Sequence, residues 1–286
     1  MKLATIIVKT TDGDARHVAA LTEHGAVDVS ALGIAGDMNA LIAGGDASLD
    51  SIRAALAGYT GDYLDEKTLV FGKITEPGKI VCEGLNFVDH AEETGGEAPK
   101  YPVFFSKFND ALAPANAPVA LPAWQRCYDY EAELVIVVGK SAYNIEPEKA
   151  EEYIFGYAAG NDLSARDAQF LSSQWIAGKS FPGFAPVGPW IATRDELNPA
   201  DGIGIRCRVN GAEVQNGNTR NMIFSCRETL AWASKFFALE PGDLIFTGTP
   251  AGVILGKPKG GRVWLKAGDV VTVEIDGIGA LTTELV

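Results

Sequence analysis

The stretch Asp129-Tyr-Glu-Ala-Glu-Leu-Val-Ile-Val-Val138 decides how this chain is read. Its second half is almost purely aliphatic, the pattern of a strand covered on both faces. Successive side chains of a strand point to opposite faces, so Glu131 and Glu133 share one face at a separation of roughly 6 to 7 Å. Leu134, Ile136 and Val138 mark the other face as buried. Two like charges at the start of so apolar a run repel each other and lose hydration, and a bridging cation would remove both penalties. A solvated sheet edge is the plainer reading of an arbitrary Glu-x-Glu pair; the covered strand argues against it. A third acid, Asp162, follows in Gly160-Asn-Asp-Leu-Ser-Ala-Arg-Asp167, shortly before an expected helix start. Oxygen-only ligands favour Mg²⁺ or Mn²⁺, with Ca²⁺ also admissible, over zinc. The only histidines are His17, His24 and His90 and there is no Cys-x-x-Cys, which argues against a histidine or thiolate metal site.

Composition bounds the partners. With 286 residues the chain has ample core for one large domain, or a large and a small one. An excess of 37 acids over 24 bases gives a formal charge of -13, which argues against nucleic acid or an anionic membrane as a partner. A small anionic substrate then needs local positive charge. The four cysteines, Cys82, Cys127, Cys207 and Cys226, have no framework spacing and read as reduced thiols. No run approaches the ~20 apolar residues of a membrane span, so a soluble, cytoplasmic protein is expected.

Residues 1–75 read as a small α+β domain: strands over Leu3 to Lys9 and Ala26 to Ser30, and an amphipathic helix over Ser48 to Leu56. Nothing there asks for chemistry. Residues 76–286 change in texture to many strands with frequent glycine and proline. Pro147 is expected to open a helix running from Glu148 to about Tyr157, because its fixed φ and missing N–H suit the first helical position. Val209-Asn210-Gly211 signals a type I′ hairpin turn. Leu239-Glu-Pro-Gly-Asp-Leu-Ile-Phe246 and Leu265-Lys-Ala-Gly-Asp-Val-Val-Thr272 read alike, each a turn followed by a strand. Together these predict a curled, mostly antiparallel β body with a few covering helices.

Six segments in order carry a family resemblance: Gly84 to Glu93, Asp129 to Leu134, Gly160 to Asp167, Gly178 to Phe181, Gly217 to Thr219, and Thr247-Gly-Thr-Pro-Ala-Gly252. The chain from about residue 78 onward resembles the fumarylacetoacetate hydrolase family. The resemblance implies a mainly β protein with some helix, in which a mixed β-roll catalytic domain follows the small N-terminal domain. It also implies a homodimer, a divalent metal, and a small anionic 2-oxo or 2,4-dioxo acid as substrate. The family's metal ligands fall on Glu131, Glu133 and Asp162, and its catalytic dyad on His90 and Glu93. Residues three apart share a helix face, so Glu93 would orient the His90 imidazole as a general base; a surface histidine on an acidic helix is the plain alternative. Gly84 and Gly95-Gly96 flank a segment read as a lid over bound substrate.

Arg166, Gln169 and Lys179 are candidates for a positive and hydrogen-bonding wall, with Lys179 as electrostatic stabiliser or acid. Arg166 could instead pair with Asp167 or Asp195, and Ser164 with Asp167 could form a capping box. Thr247 to Gly252 would offer backbone amides and the Thr249 hydroxyl to a carboxylate, or be a plain turn. The expected reaction is hydrolysis of a carbon–carbon bond in an acylpyruvate-like or sugar-derived 2,4-dioxo acid, leaving an enolate whose charge the metal and Lys179 take up. Isomerisation or oxaloacetate decarboxylation on the same site is the alternative, because the family resemblance does not fix the reaction. Leu85 and Phe87 stand where many members carry arginine and tyrosine, which loosens any tie to one named activity. A reading of another class is a non-catalytic β protein whose three acids hold a structural Ca²⁺.

Overall fold

Buried on both faces, the aliphatic run that follows Glu133 lies inside a large mixed sheet and organises what packs around it. The structure is a computed structural model that describes every residue except Asp12, Thr94, Gly96 and Glu97. Strands Lys2–Thr10 (β1), Gly13–Thr22 (β2) and Gly25–Asp28 (β3) form an antiparallel meander followed by helix Met38–Ala57 (α1). Next come Ile80–Gly84 (β4), the short helix Val88–Glu93 (α2), Val103–Lys107 (β5), Leu112–Pro114 (β6), Tyr128–Asp129 (β7), Ala132–Val138 (β8) and Ile154–Asn161 (β9). Ser164–Ala165 (β10), the one-turn helices Arg166–Gln169 (α3) and Ile176–Lys179 (α4), and Ala185–Thr193 (β11) complete the central region. The last part holds Gly204–Val209 (β12), Ala212–Asn218 (β13), helix Cys226–Ser234 (α5), Leu244–Phe246 (β14), Val270–Ile275 (β15) and Gly279–Glu284 (β16).

Among the described residues ten strands form one sheet, ordered β3-β2-β1-β11-β9-β8-β14-β4-β5, with β6 beside β11. Only the β14–β4 and β11–β6 pairs in it are parallel. A four-stranded antiparallel sheet, β13-β12-β15-β16, covers one face: Leu134, Ile136 and Tyr157 pack there with Ile205, Val271, Val273 and Leu281. The opposite face packs Val135, Val137 and Phe246 against Leu41, Ile42 and Ile52 of α1. Glu133 alternates with Leu134 and so faces the α1 side. The fold is therefore mainly β with helices, as the turn signals imply. The N-terminal strands do not stand apart from it, since β1 continues the large sheet through Lys2↔Ala192 and Leu3↔Ile191.

Local expectations fare unevenly. Asn210 and Gly211 have φ of 52° and 82°, the two positive values of a type I′ turn, and join β12 to β13. In the two similar turns, Asp243 and Asp269 each accept from the backbone N–H three residues earlier, and Gly242 and Gly268 both have φ 89°. The expected helix over Ser48 to Leu56 is the second part of α1, after a break at Gly45 (φ 57°). The expected helix over Glu148 to Tyr157 is corrected: Pro147–Tyr153 is a 3₁₀ segment, and Ile154 begins β9. Backbone proximity accounts for the switch, because a Cβ at Gly156 would lie 2.3 Å from the Ala192 carbonyl oxygen. The Ser164 capping box is also absent: its hydroxyl donates to the Asp162 carbonyl, and α3 has no side-chain cap.

One polar group lies in the packing between β4 and α5. Glu83 Oε2 accepts from Thr229 Oγ1 at 2.6 Å, while Oε1 has no partner among the described residues. Burial, opposed by the Thr229 bond and reinforced by Glu228, pushes this carboxyl up from 4.5 to about 8.

Gly156→Ala is expected to cost about 1 to 3 kcal/mol by overpacking against backbone that cannot move aside; denaturant unfolding reads this, and an unchanged midpoint would sink the close-packing account. Between pH 4.5 and about 8, Glu83 is protonated in the fold and ionised in the unfolded chain, so stability falls as pH rises through that window. The slope from this one proton is up to about 1.4 kcal/mol per pH unit. Glu83→Gln should flatten that decline, so that the variant gains on the parent from the acid to the alkaline end of the window. A constant difference in unfolding free energy across the window would exclude Glu83 as the source.

Candidate active site

Glu131 immediately precedes β8, Glu133 lies on it and Asp162 comes from the turn after β9, where β8 and β9 pair Ala132↔Asn161. One carboxylate oxygen from each lies within 4.8 Å of the others, and all three residues are buried. The cations around them are also buried. Lys179 Nζ, from α4, donates to Glu131 Oε2 at 2.5 Å and Asp162 Oδ2 at 2.7 Å. Lys107 Nζ, at the end of β5, bonds Asp162 Oδ1 and the Leu163 carbonyl. Arg166 spreads its guanidinium over Asp129 (Nε, 3.0 Å), Gln169 (Nη1, 2.9 Å) and Glu131 (Nη2, 2.6 Å). It pairs with neither Asp167 nor Asp195: Asp167 accepts from the Arg126 N–H, and Asp195 pairs with Arg53.

This network holds the acids in different states. Burial opposes ionisation of Glu131, but Lys179, Arg166 and His90 outweigh it and hold the carboxyl well below the usual range. Glu133 goes the other way: burial, then Asp162 and Glu131, push its carboxyl up, and the Lys179 charge together with the Gly248 N–H that donates at 2.7 Å offsets only part of this. Four buried acids, Asp129, Glu131, Glu133 and Asp162, face three buried cations, Lys107, Arg166 and Lys179. Glu133 is the one of these four acids with no salt bridge among the described residues, and its carboxyl is held toward the neutral form. Three converging hard oxygen donors fit a divalent cation such as Mg²⁺ or Mn²⁺, whose charge would favour the ionised form of Glu133.

His90 and Glu93 lie one helical turn apart on α2, with His90 Nδ1 3.5 Å from Glu93 Oε2. The Glu93 carboxylate accepts the Gly252 N–H at 3.0 and 3.1 Å. It is held close on another side, since a Cβ at Gly256 would lie 2.2 Å from its carboxyl carbon. The Thr247 to Gly252 turn thus gives its amides to the protein's own carboxylates, Glu133 and Glu93. The Thr249 hydroxyl donates to the Ala132 carbonyl and accepts from Gln215.

His90, Glu93, Glu131, Glu133, Asp162, Arg166, Gln169, Lys179 and Thr249 all line one cavity of about 470 Å³. Its remaining wall is largely apolar, with Leu85, Phe105, Phe170, Trp175 and Leu255, and includes Arg262. Leu85 has φ 59°, an uncommon backbone conformation for a bulky side chain. Of the glycines flanking the segment read as a lid, Gly84 leaves no room for a Cβ, which would lie 2.5 Å from the Trp175 ring, and Gly95 has φ 75°; Gly96 lies outside the described residues.

Two structural members escaped the sequence reading. Lys107 ends a strand of mixed Phe and Ser and carries no local signal of burial beside an acid. Asp129 was visible in the same stretch as Glu131; fully buried, it accepts from Arg166 and from the Ile254 and Leu255 N–H groups, tying that loop to the site. Among the described residues no helix is long and apolar enough to cross a membrane.

The chain is similar to known proteins over most of its length. Residues 79–286 match the family model for the fumarylacetoacetate (FAA) hydrolase C-terminal domain. The chain is 42% identical over 245 residues to the mitochondrial oxaloacetate tautomerase fahd2 of Xenopus laevis, covering 85% of this chain and 76% of that protein. The crystal structure of 5-carboxymethyl-2-hydroxymuconate delta-isomerase from Mycobacterium smegmatis aligns with a TM-score of 0.77 at 32% identity, over 100% of this chain and 98% of that one. Fumarylpyruvate hydrolase from Pseudomonas aeruginosa, solved with Mn²⁺ and pyruvate, aligns with a TM-score of 0.67 at 34% identity, over 74% of this chain and 91% of that one. With its buried acid triad, the dyad facing it and the matched residues, the chain belongs to the fumarylacetoacetate hydrolase family.

Proposed function

We propose that this protein is a divalent-metal-dependent enzyme acting on small 2-oxo acids, and that its reaction is proton transfer at the carbon next to the 2-oxo group. Keto–enol tautomerisation of an oxaloacetate-like acid is the form that fits best. The observation that carries this is the placement of the His90–Glu93 pair and the Glu131, Glu133 and Asp162 carboxylates on one cavity. The similarity to a protein named as an oxaloacetate tautomerase supports it.

Glu131, Glu133 and Asp162 would hold the cation. Bound there, Mg²⁺ or Mn²⁺ supplies Lewis-acid polarisation of a 2-oxo group and a seat for the adjacent carboxylate. The chain's residues do the rest. His90 takes the proton from carbon 3, the C–H electron pair becomes the C2–C3 double bond, and the same proton is delivered to the oxygen at carbon 2. No atom is gained or lost. Glu93, fixed by the Gly252 N–H, is a positioning residue that holds the imidazole against the cavity. Lys179, buried beside Glu131 and Asp162, adds positive charge where the enolate oxygen develops. Phe105 and Trp175 keep that end of the cavity apolar, which strengthens each of these interactions.

Hydrolytic cleavage of a 2,4-dioxo acid is the second reading, favoured by the similarity to a fumarylpyruvate hydrolase. It uses the same groups, with His90 activating a water in place of a C–H. A panel of enol-oxaloacetate, fumarylpyruvate and acetylpyruvate, assayed with EDTA and then with Mg²⁺ or Mn²⁺ restored, separates the two. Metal-dependent loss of the enol without chain cleavage is expected; cleavage of a dioxo acid alone would select hydrolysis.

Two substitutions divide the roles. His90→Ala should retain Mn²⁺ binding by calorimetry while turnover falls roughly 10²- to 10⁴-fold. Asp162→Asn should lose both, with the fold checked by circular dichroism because Lys107 and Lys179 each lose an anionic partner. Full turnover in His90→Ala would remove the dyad from the reaction.

A further inference from the structure

Three permanent cations line the cavity, and two are already engaged. Arg166 and Lys179 are bonded to buried carboxylates, whereas Arg262 forms no ion pair among the described residues. Its Nε donates to the Lys257 carbonyl at 2.8 Å, and its guanidinium lies 5.9 Å from the centre of the Trp264 ring. Both contacts fix the plane of the group and leave Nη1 and Nη2 without a partner among the described residues. A guanidinium held at Nε with both Nη groups available is a preorganised fork for a carboxylate.

Arg262 is half-buried and lines the same cavity as the apolar side chains of Leu85, Phe170 and Leu255. The protein as a whole carries a charge of -13, and the same cavity holds the acid triad. A cation with no ion pair among the described residues gains most from an anion that arrives with the ligand. The cavity, about 470 Å³, has room for a short acid that spans from the triad to this wall.

We propose that Arg262 is a specificity-determining residue that binds a second carboxylate of the substrate, so that the site selects 2-oxo dicarboxylates over 2-oxo monocarboxylates of equal length. This rests on the reading of the cavity as a 2-oxo acid site and names the substrate class within it. The carboxylate next to the 2-oxo group is taken at the acidic end, the short chain lies along the apolar wall, and the distal carboxylate meets the Arg262 fork. Arg262→Gln keeps hydrogen-bond donors and removes the charge; Arg262→Lys keeps the charge and removes the fork.

The test is binding, read by calorimetry on the Mn²⁺-loaded protein with two non-cleaved probes, 2-oxoglutarate and 2-oxopentanoate, which differ only in the distal carboxylate. The parent should bind 2-oxoglutarate roughly ten- to a hundredfold more tightly. Arg262→Gln should abolish that preference by weakening 2-oxoglutarate alone, and Arg262→Lys should restore part of it. Equal binding of the two acids by the parent protein, or parallel weakening of both in Arg262→Gln, would overturn the assignment. Turnover is measured separately: selective binding without turnover of any panel acid would defeat the proposed reaction and leave the role of Arg262 standing. Turnover without selectivity would do the reverse.

Discussion

The chain of alternating charges Asp129, Arg166, Glu131, Lys179, Asp162 and Lys107 is the constraint on which the rest of this structure depends. Removing an ion from water costs several kcal/mol, and attraction to a partner offsets this only where the hydrogen bonds are well formed. Here each ion meets its neighbour through direct bonds, and the partners come from segments far apart in sequence: β5, β7, the turn after β9, α3 and α4. The one-turn helices α3 and α4 have little stability of their own. Arg166 and Lys179 place them, because leaving either cation unpaired in the interior would cost more than ordering the turn that carries it. The network therefore positions the site and at the same time fixes how these connections pack.

Glu133 bears on the neighbouring turn. It has no salt bridge among the described residues, Lys179 favours its ionised form only through space, and a backbone N–H donates to it directly. That N–H belongs to Gly248, whose φ of 91° suits glycine, and a Cβ there would crowd Asn86. Asn86 in turn donates to the Thr247 and Phe224 carbonyls and accepts the Phe224 N–H. The loop entering α2 is thereby fastened to the turn that supports Glu133, while Glu93 is fastened to the end of that same turn. One short turn coordinates the acid triad and the histidine-bearing helix.

What was legible in the sequence follows from the range of the interactions involved. Period-two alternation placed Glu131 and Glu133 on one face because that needs only the strand's own geometry. Asn210-Gly211 gave its turn for the same reason. Pro147 correctly marked a start, but the helix expected to follow it gives way to strand at Ile154, where contact with β11 overrides local preference. Arg166 was singled out, yet its partners Asp129 and Glu131 lie 37 and 35 residues away and could not be chosen from spacing alone. Lys107 was missed altogether, since a lysine at a strand end usually reaches solvent. Its burial depends on the pairing of β5 with β4 at the sheet edge, which no local pattern announces.

The cavity divides chemistry from selection along the same boundary. Glu133 lies on β8, Glu131 immediately before it and Asp162 in the turn after β9, and bonds to Lys107, Arg166, Lys179 and the Gly248 N–H resist small shifts of these acids, as a reacting centre requires. Leu255 and Arg262 lie on the connection between β14 and β15, where Lys259–Gly261 is a single 3₁₀ turn. Binding energy gained at this wall would be felt by substrate and transition state alike, and would then act on which ligand is held more than on how fast it reacts.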